Sequence, residues 1–283
     1  MTAGQDASPQ TEGRRIALTG ATSGIGLATA QRLAERVDHL VLQGPEPETS
    51  VSDVLALVRG AGRASVRYVR CDFTSLADVV HGAREMAAEG PIDAVINDAG
   101  VPGSDHRRLT ADGHERTLQV NYLAMVLLTQ SLRGGLRAGA RIVNLASATH
   151  AMAALDLSDI ELETGYSAVR AYARSKLAIV MYTRWLGRNR TDGTTAVSLQ
   201  PGVVNTRLLH AMFGAIGTSV DDGARSVIAA LDAPAAGGEY FDEGRLARPS
   251  EEAQNDALGD ELMDWTRAAL SPFTDRASEP EWW

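Results

Sequence analysis

The chain is poor in two residue types that carry much protein chemistry, lysine and cysteine. Its 27 lysine and arginine residues include a single lysine, Lys176, and its one cysteine is Cys71. A single cysteine excludes an intrachain disulfide and argues against a cysteine-based metal site, so we expect a reducing, cytoplasmic location. The six histidines are scattered and form no ligand pattern, so we expect no bound metal.

The sequence also lacks a basic stripe and a long apolar run. Its formal net charge is −9 and its pI is about 5.2, which argues against a nucleic-acid partner because phosphate binding needs clustered positive charge. No apolar run approaches the roughly 18 residues of a membrane-spanning helix. Residues 1–13 contain no apolar core of the signal-peptide type. We therefore expect no membrane partner.

What is present is an alternation of short β-rich runs with helical runs. In a chain of 283 residues that is 44% hydrophobic, this pattern predicts one α/β domain over residues 14–271, between a disordered tail (1–13) and an irregular tail (272–283). The expected fold is a single-domain, Rossmann-type, doubly wound parallel sheet with helices on both faces. The predicted strands cover residues 14–18, 39–42, 65–69, 93–96, 141–145 and 195–199. The predicted helices cover residues 25–36, 51–59, 113–136 and 172–188, with one more that opens at Ser75.

A glycine-rich turn, Thr19-Gly20-Ala-Thr-Ser-Gly24-Ile-Gly26, stands between the first strand and the first helix. A dinucleotide fingerprint requires this context. Gly20 permits the tight turn, Gly24 lets the backbone approach a pyrophosphate, and Gly26 allows the helix to pack closely on the strand. The pyrophosphate is expected at the helix N-terminus, where unpaired N–H groups and the helix dipole favour an anion.

The lone lysine follows a tyrosine by four residues, in Tyr172-Ala-Arg-Ser-Lys176. Residues i and i+4 share one face of a helix, so the ammonium is expected near the phenol and should lower its free pKa of about 10. Arginine is a poor substitute for this compact charge with three rotatable donors. Tyr166 and Arg170 have the same spacing, and we interpret Tyr166 as a loop or substrate-side residue.

Together with three motifs, these residues resemble the short-chain dehydrogenase/reductase family over residues 16–270. The motifs are the TGxxxGxG spacing of the turn, the NDAG segment at 97–100 in place of the family's NNAG, and a PGxVxT segment that begins at Pro201. Asp98 departs from the second Asn of NNAG, a change that affects a structural hydrogen bond rather than the chemistry. The resemblance implies these cofactor-binding residues: Thr19, Gly20, Ser23, Gly24, Ile25, Gly26, Asp72, Phe73, Asn97, Ala99, Gly100, Tyr172, Lys176, Pro201, Gly202, Val204 and Thr206.

The same resemblance implies four catalytic residues, which are Asn121, Ser147, Tyr172 and Lys176. Tyr172 is implied to be the acid–base group, and Ser147 to hydrogen-bond the substrate carbonyl. Lys176 is implied to bond the nicotinamide ribose, and Asn121, in the long helix, to hold a water that relays protons to it. Asp72 is expected to contact the adenine, to cap a helix beside Thr74, or to do both. His150, close after Ser147, could line the pocket.

The closer resemblance is to the retinol dehydrogenase/WW-domain oxidoreductase-like branch, carried by residues 155–160, 238–241 and 249–253. Members of this branch act on apolar alcohols and carbonyls. The segment 207–220 looks shortened, and is predicted either as an apolar lid over the pocket or as an ordinary amphipathic helix. Its apolar residues include Leu208, Leu209, Met212, Phe213 and Ile216. The use of arginine for lysine suggests a GC-rich bacterial genome, where such enzymes often tailor polyketide-type secondary metabolites.

The choice of cofactor stays open between NAD(H) and NADP(H). After the second strand, at 42–46, the chain reads LQGPE, without the arginine of NADP-preferring relatives or the aspartate of NAD-preferring ones. Glu46 or Glu48 could bond a ribose diol and would repel a 2′-phosphate, which favours NAD(H). The resemblance to the branch favours NADP(H), which is slightly preferred on balance because an arginine elsewhere could reach the phosphate.

The leading hypothesis is an enzyme, a ketone or aldehyde reductase that acts on a mostly apolar small molecule and forms a homodimer or homotetramer. One alternative is a cofactor-binding sensor or scaffold without turnover, but such a protein needs only the glycine-rich turn and not the four catalytic residues. Another is a nonstandard reaction, epimerisation or reduction coupled to oxygenation, because a fold alone does not fix function.

Overall fold

A single eight-stranded sheet forms the centre of the molecule in the computed structural model, which describes residues 13–190, 192–214 and 217–274. The strands are β1 (Arg15–Leu18), β2 (His39–Gly44), β3 (Ser65–Arg70), β4 (Ile92–Asn97), β5 (Leu136–Leu145), β6 (Thr195–Gln200), β7 (Glu239–Asp242) and β8 (Arg245–Ala247). Their order is β3-β2-β1-β4-β5-β6-β7-β8. All neighbouring strands are parallel except β7 and β8, which form an antiparallel pair at the edge.

Helices cover both faces of this sheet. Within the described residues they are α1 (Gly24–Ala34), α2 (Ser52–Ala61), α3 (Leu76–Ala87), α4 (Arg116–Leu118), α5 (Ala124–Leu132), α6 (Ala168–Asn189), α7 (Arg207–Phe213), α8 (Val220–Asp232) and α9 (Asp256–Leu270). Helices α1, α2 and α8 pack on one face, α3, α5 and α6 pack on the other, and α9 packs against α6. This arrangement confirms the predicted doubly wound α/β fold.

The central strands form because their sequences are apolar on both faces. Strands β1, β2 and β4 are buried along most of their length, as expected of parallel strands that are covered by helices on each side. The helix predicted to open at Ser75 is α3, and the Ser75 hydroxyl accepts a hydrogen bond from the Asp78 N–H (3.3 Å) as its N-cap. Local sequence signals therefore set both the strands and this helix start.

The predicted long helix over 113–136 is wrong in its length and continuity. A π-helical turn, Gln119–Leu123, separates α4 from α5, and α5 ends at Leu132. Leu136 already belongs to β5, which is longer than predicted. Apolar periodicity does not detect a π turn, which shifts the register of the helix by one residue and often marks a functional site. Strands β7 and β8 were not predicted.

Two predicted tails fall largely outside the described residues. Residues 1–12 and 275–283, with Trp282 and Trp283, are not described, and nor is Ile216 of the predicted lid. A short 3₁₀ turn, Ser271–Phe273, follows α9, and Phe273 packs against the core. None of the described helices is both long and apolar enough to cross a membrane.

Candidate active site

The carboxyl ends of β1 and β4 meet where the strand order reverses, the place at which doubly wound sheets bind ligands. The Thr19 hydroxyl accepts hydrogen bonds from the N–H groups of Asp98 (3.1 Å) and Ala99 (3.0 Å). Gly20 has a φ of 66°, and a Cβ there would lie only 2.8 Å from the Ala99 Cα. Glycine is therefore required at the point where the two strand ends come together.

The first turn of α1 is shaped to receive an anion. Gly24 has a φ of 54°, and Ser23 is the N-cap, although among the described contacts its side chain makes no capping hydrogen bond. The Gly26 N–H donates to the Asp98 carboxylate, and the N–H groups that precede it are not capped by Ser23, so they can meet another acceptor. A Cβ on Gly26 would lie 2.2 Å from the Gly20 carbonyl oxygen. The backbone at Gly26 therefore approaches the backbone at Gly20 too closely for any side chain. These features fit the pyrophosphate of a dinucleotide.

The PGxVxT segment faces the same turn, and its expected contacts with a cofactor stay a prediction. A Cβ on Gly24 would lie 3.6 Å from the Thr206 Cγ2, and one on Gly223 of α8 would lie 3.0 Å from both Ile25 and Val204. The Thr206 hydroxyl caps α7 by accepting a hydrogen bond from the Leu209 N–H (3.2 Å). The glycine-rich turn and the segment from Pro201 to Thr206 therefore form the two walls of one cleft.

Three other predicted cofactor residues make structural contacts. The Asp72 carboxylate accepts hydrogen bonds from the Thr74 N–H (2.9 Å) and hydroxyl (2.8 Å) in the turn before α3, but the helix itself is capped by Ser75, and the contact of Asp72 with adenine stays a prediction. The Phe73 side chain is buried in the core. The Asn97 amide is also buried and donates hydrogen bonds to Asn144 (2.8 Å) and Thr129 (3.2 Å). Phe73 and Asn97 therefore support the sheet through their side chains.

Helix α6 brings Tyr172 and Lys176 to the cleft beside Ser147. The helix begins after Ser167, whose hydroxyl accepts a hydrogen bond from the Arg170 N–H (3.2 Å). Tyr172 and Lys176 are both buried, and the Lys176 Nζ lies 5.5 Å from the centre of the Tyr172 ring. Ser147, two residues after β5, hydrogen-bonds the Tyr172 hydroxyl. Three of the four predicted catalytic side chains thus come together.

The acidity of Tyr172 differs from the prediction. Burial raises the pKa of Tyr172 above its usual range, the hydrogen bond from Ser147 opposes this rise, and Asp98 adds to it. The expected lowering of this pKa by Lys176 was therefore wrong for the protein alone. Burial is the largest cause of the rise, and the Lys176 Nζ donates a hydrogen bond to the Leu145 carbonyl oxygen (2.8 Å).

Lys176 and Asp98 perturb each other inside the site. Burial lowers the pKa of Lys176 to about 8, and the negative charge of Asp98 opposes this change. Burial raises the pKa of Asp98 to about 7, while Lys176 and a hydrogen bond from the Gly26 N–H act in the opposite direction. Because the two groups are coupled, the protons leave the pair in two shared steps. Asp98 is therefore part of the site and not only a structural replacement.

Asn121, the fourth predicted residue, lies in the π-helical turn and is fully buried. Its amide group donates to the Val101 carbonyl (3.0 Å) and the Ser175 hydroxyl (3.0 Å), and its oxygen accepts from the Val101 N–H (2.8 Å). These bonds join the loop after β4 to helix α6 just beside Lys176. Asn121 therefore orders the site, and its predicted role in holding a water stays a prediction.

His150 makes structural hydrogen bonds through both ring nitrogens, and its place in the lining of a pocket stays a prediction. Its Nδ1 donates to the Ser147 carbonyl oxygen (2.7 Å), and its Nε2 accepts from the Ser250 N–H (3.1 Å). Burial lowers the pKa of this imidazole, so the ring is neutral and braces the segment that carries Ser147. The Tyr166 hydroxyl accepts from the Ser104 N–H (3.1 Å), in agreement with its interpretation as a loop residue.

Three residues that contribute to the site, two of them polar, were not assigned a role from the sequence. Gln43 is buried in β2, where its side chain accepts from the Gly20 N–H (3.1 Å) and donates to the Cys71 carbonyl (2.6 Å). Ser175 links Asn121 to the Tyr172 carbonyl. Leu145 contributes only its carbonyl oxygen. The available signal was a glutamine inside an apolar strand, because such a residue needs buried partners.

The segment 207–220 forms α7 and a loop closed at its base. The Thr218 N–H donates to the Val203 carbonyl (2.8 Å), and the Asn205 N–H donates to the Thr218 carbonyl (2.9 Å). Leu208 and Leu209 are partly exposed, so both the lid and the ordinary helix remain predictions. The described residues contain no cluster of three or more His, Cys, Asp or Glu that could hold a metal ion.

Comparison with known proteins defines the class of this chain. The family model described as short chain dehydrogenase matches residues 14–215. Mouse polyprenol dehydrogenase is 34% identical over 274 residues, which cover 88% of this chain and 82% of that protein. Mouse retinol dehydrogenase 13 is 33% identical over 282 residues (91% and 83%). The Streptomyces sp. (strain C5) protein named "Putative daunorubicin C-13 ketoreductase DnrU" is 33% identical over 270 residues (91% and 93%).

Solved structures agree. An uncharacterised protein from Mycobacterium paratuberculosis shares 25% identity with a TM-score of 0.78, over 91% of this chain and 93% of that one. Chicken NADPH-bound carbonyl reductase shares the fold at 22% identity and a TM-score of 0.64, over 83% and 98%. The chain therefore belongs to the short-chain dehydrogenase/reductase family, in its retinol dehydrogenase-like branch.

The close approach at Gly26 generates a prediction. Gly26→Ala should weaken NADH and NADPH binding at least about tenfold and lower the melting temperature, because its Cβ would collide with the Gly20 carbonyl. Gly60→Ala is the matched control, since Gly60 is also helical and a Cβ there would meet nothing within 4 Å. Cofactor fluorescence titration and thermal unfolding measure both. Unchanged binding in Gly26→Ala would contradict the proposed pyrophosphate site.

Proposed function

We propose that this protein is an NAD(P)-dependent oxidoreductase that interconverts the carbonyl and alcohol forms of a mostly apolar small molecule. The observation that carries the proposal is the meeting of Ser147, Tyr172 and Lys176 beside the glycine-rich turn. A tyrosine hydroxyl bonded to a serine hydroxyl supplies two groups that can hold one carbonyl oxygen. A sensor would need the turn but not this arrangement.

In this proposal the side chains position the substrate and move one proton. The bound nicotinamide dinucleotide supplies or accepts the hydride. Ser147 and the Tyr172 hydroxyl donate hydrogen bonds to the substrate carbonyl oxygen, and Tyr172 delivers the proton to that oxygen as the alcohol forms. Burial keeps Tyr172 protonated, which suits a group that must give a proton in the direction of reduction. Lys176 supplies positive charge close to the phenolate that remains.

The proposed substrate class rests on the substrates for which the relatives are named. Polyprenol dehydrogenase, retinol dehydrogenase 13 and the daunorubicin ketoreductase homologue are all named for an alcohol or ketone on a large molecule, mostly apolar in the first two. The last of these aligns over 93% of its length, which favours ketone reduction on a polyketide-type product. A cytoplasmic location, a bacterial source and a homodimer or homotetramer belong to the same proposal.

Replacement of the proposed acid tests this function. Tyr172→Phe should reduce kcat at least about 10²-fold, because general acid catalysis contributes 10²–10⁴-fold, while cofactor affinity stays within a few-fold. The measurement is loss of NADH or NADPH absorbance over a panel of quinones, aryl ketones and retinal. Tyr166→Phe is the matched control and should retain turnover, since the Tyr166 hydroxyl bonds a loop N–H. Full activity in Tyr172→Phe would contradict the mechanism, and no activity of the wild type on any carbonyl would favour the sensor.

The position of Glu46 bears on the choice between the two cofactors. Its carboxylate hydrogen-bonds the Thr22 hydroxyl (3.2 Å) of the glycine-rich turn, and a Cβ on Gly44 would lie 2.8 Å from the same carboxylate. An acidic group here can accept a hydrogen bond from the adenosine ribose and would repel a 2′-phosphate. This placement reverses the slight preference for NADP(H) drawn from the sequence, and we favour NAD(H).

Two variants at the end of β2 and β3 test this choice. The wild type should bind NADH at least about tenfold more tightly than NADPH, and Glu46→Gln should reduce that ratio by removing the repulsion. Arg70, in register with Gly44 on the next strand and about half exposed, is the nearby cation that could instead hold a phosphate. Tighter NADPH binding by the wild type, lost in Arg70→Gln, would establish NADP(H) as the cofactor.

A further inference from the structure

Asp98 brings a carboxyl group to the centre of the site, where the family motif has asparagine. Its N–H donates to the Thr19 hydroxyl, which fixes the residue just beyond β4. Its carboxylate accepts a hydrogen bond from the Gly26 N–H in the first turn of α1. A Cβ on Gly26 would lie 2.7 Å from the Asp98 Oδ2. The carboxylate therefore lies against the glycine-rich turn, at the start of α1.

Helix α6 presents the catalytic pair to this carboxylate. Among the described residues, the titratable groups that interact electrostatically with Asp98 are Lys176 and Tyr172. A Cβ on Gly100, two residues after Asp98, would lie 3.7 Å from the Lys176 Nζ, so the ammonium contacts the same loop. The groups that face Asp98 from α1 and β1 are neutral, the Gly26 N–H and the Thr19 hydroxyl.

The ammonium of Lys176 needs such a partner. Lys176 is 3% exposed, and an isolated charge in a protein interior is unfavourable because it has lost its hydration. Its hydrogen bond to the Leu145 carbonyl satisfies one of three N–H donors but supplies no net charge. An asparagine at position 98 would not supply one either, whereas an ionised aspartate does.

We infer that Asp98 is the counter-ion of Lys176 and a positioning residue for the reaction, and that ionised Asp98 holds Lys176 as an ammonium. The inference rests on the function proposed above, because the charge of Lys176 matters to turnover only if Tyr172 is the acid–base group. With Asp98 the site has three titrating side chains. An asparagine at this position would leave two, those of Lys176 and Tyr172.

The direction of the pH effects follows from the charges. Ionised Asp98 favours the ammonium form of Lys176 and disfavours the phenolate form of Tyr172, so it raises the pKa of both groups. Because burial raises the pKa of Asp98 to about 7, the carboxylate gains a proton as the pH falls through neutrality. Below that pH, neutral Asp98 no longer raises the pKa of Lys176 or of Tyr172. The Tyr172 phenolate is then less disfavoured by a neighbouring negative charge. Asp98→Asn makes this low-pH state permanent.

The single lysine of the chain allows a direct test. Protein labelled with ¹³Cε-lysine gives one lysine side-chain NMR signal, which belongs to Lys176 without further assignment. In the wild type we expect its shift to titrate in two steps, one near neutral pH from Asp98 and one at higher pH from Lys176. In Asp98→Asn, which keeps an acceptor for the Gly26 N–H, we expect one step, with the lysine pKa lower by about one unit.

The controls separate this inference from the proposed function. Asp53→Asn removes one negative charge from an exposed position on α2 and should leave both steps in place. A single titration step in the wild type, or an unchanged lysine pKa in Asp98→Asn, would overturn the inference. If the variant does not fold, the number of steps in the wild type decides alone. No substrate or cofactor is needed, so two steps in a protein without reductase activity would retain the electrostatic coupling of Asp98 and Lys176 and refute only the function.

Discussion

One ammonium group, kept charged inside the protein, is the constraint on which the arrangement of the site depends. Lys176 is buried in the middle of α6, and the regular backbone of the helix fixes its position away from solvent. Its partners must therefore come from other elements. The end of β5 supplies the Leu145 carbonyl, and the loop after β4 supplies Asp98. Asn121 holds that loop against α6 through Val101 and Ser175. The site is thus assembled from the ends of β4 and β5, the π-helical turn and α6.

The cofactor side of the cleft obeys a second constraint, the close approach of backbones. The Thr19 hydroxyl joins the ends of β1 and β4, and this junction leaves no space for a Cβ at Gly20 or Gly26. Asp98 belongs to both arrangements, because its N–H bonds Thr19 while its carboxylate acts on Lys176. If the protein binds a dinucleotide as proposed, Asp98 would couple that binding to the charge state of Lys176.

The sequence was sufficient for the parts of this site that depend on local spacing. Strand, glycine-rich turn and helix follow directly along the chain, and the Tyr172–Lys176 spacing places both side chains on one helical face. Spacing could not show which atom Lys176 bonds, because the Leu145 carbonyl comes from a distant segment. It also could not show the π turn at Asn121 or the bracing role of His150, which depend on tertiary partners. The net rise in the pKa of Tyr172 follows from burial, which only the folded structure reveals.

The central claim is that Lys176 acts as a compact point charge within the catalytic group. Its most direct test is kcat for carbonyl reduction by Lys176→Arg, measured together with thermal unfolding and cofactor affinity. A guanidinium retains the positive charge but not the size or the rotatable donors of the ammonium. We expect a folded protein whose kcat falls at least about 10²-fold. A folded Lys176→Arg variant with kcat within a few-fold of the wild type would contradict the account.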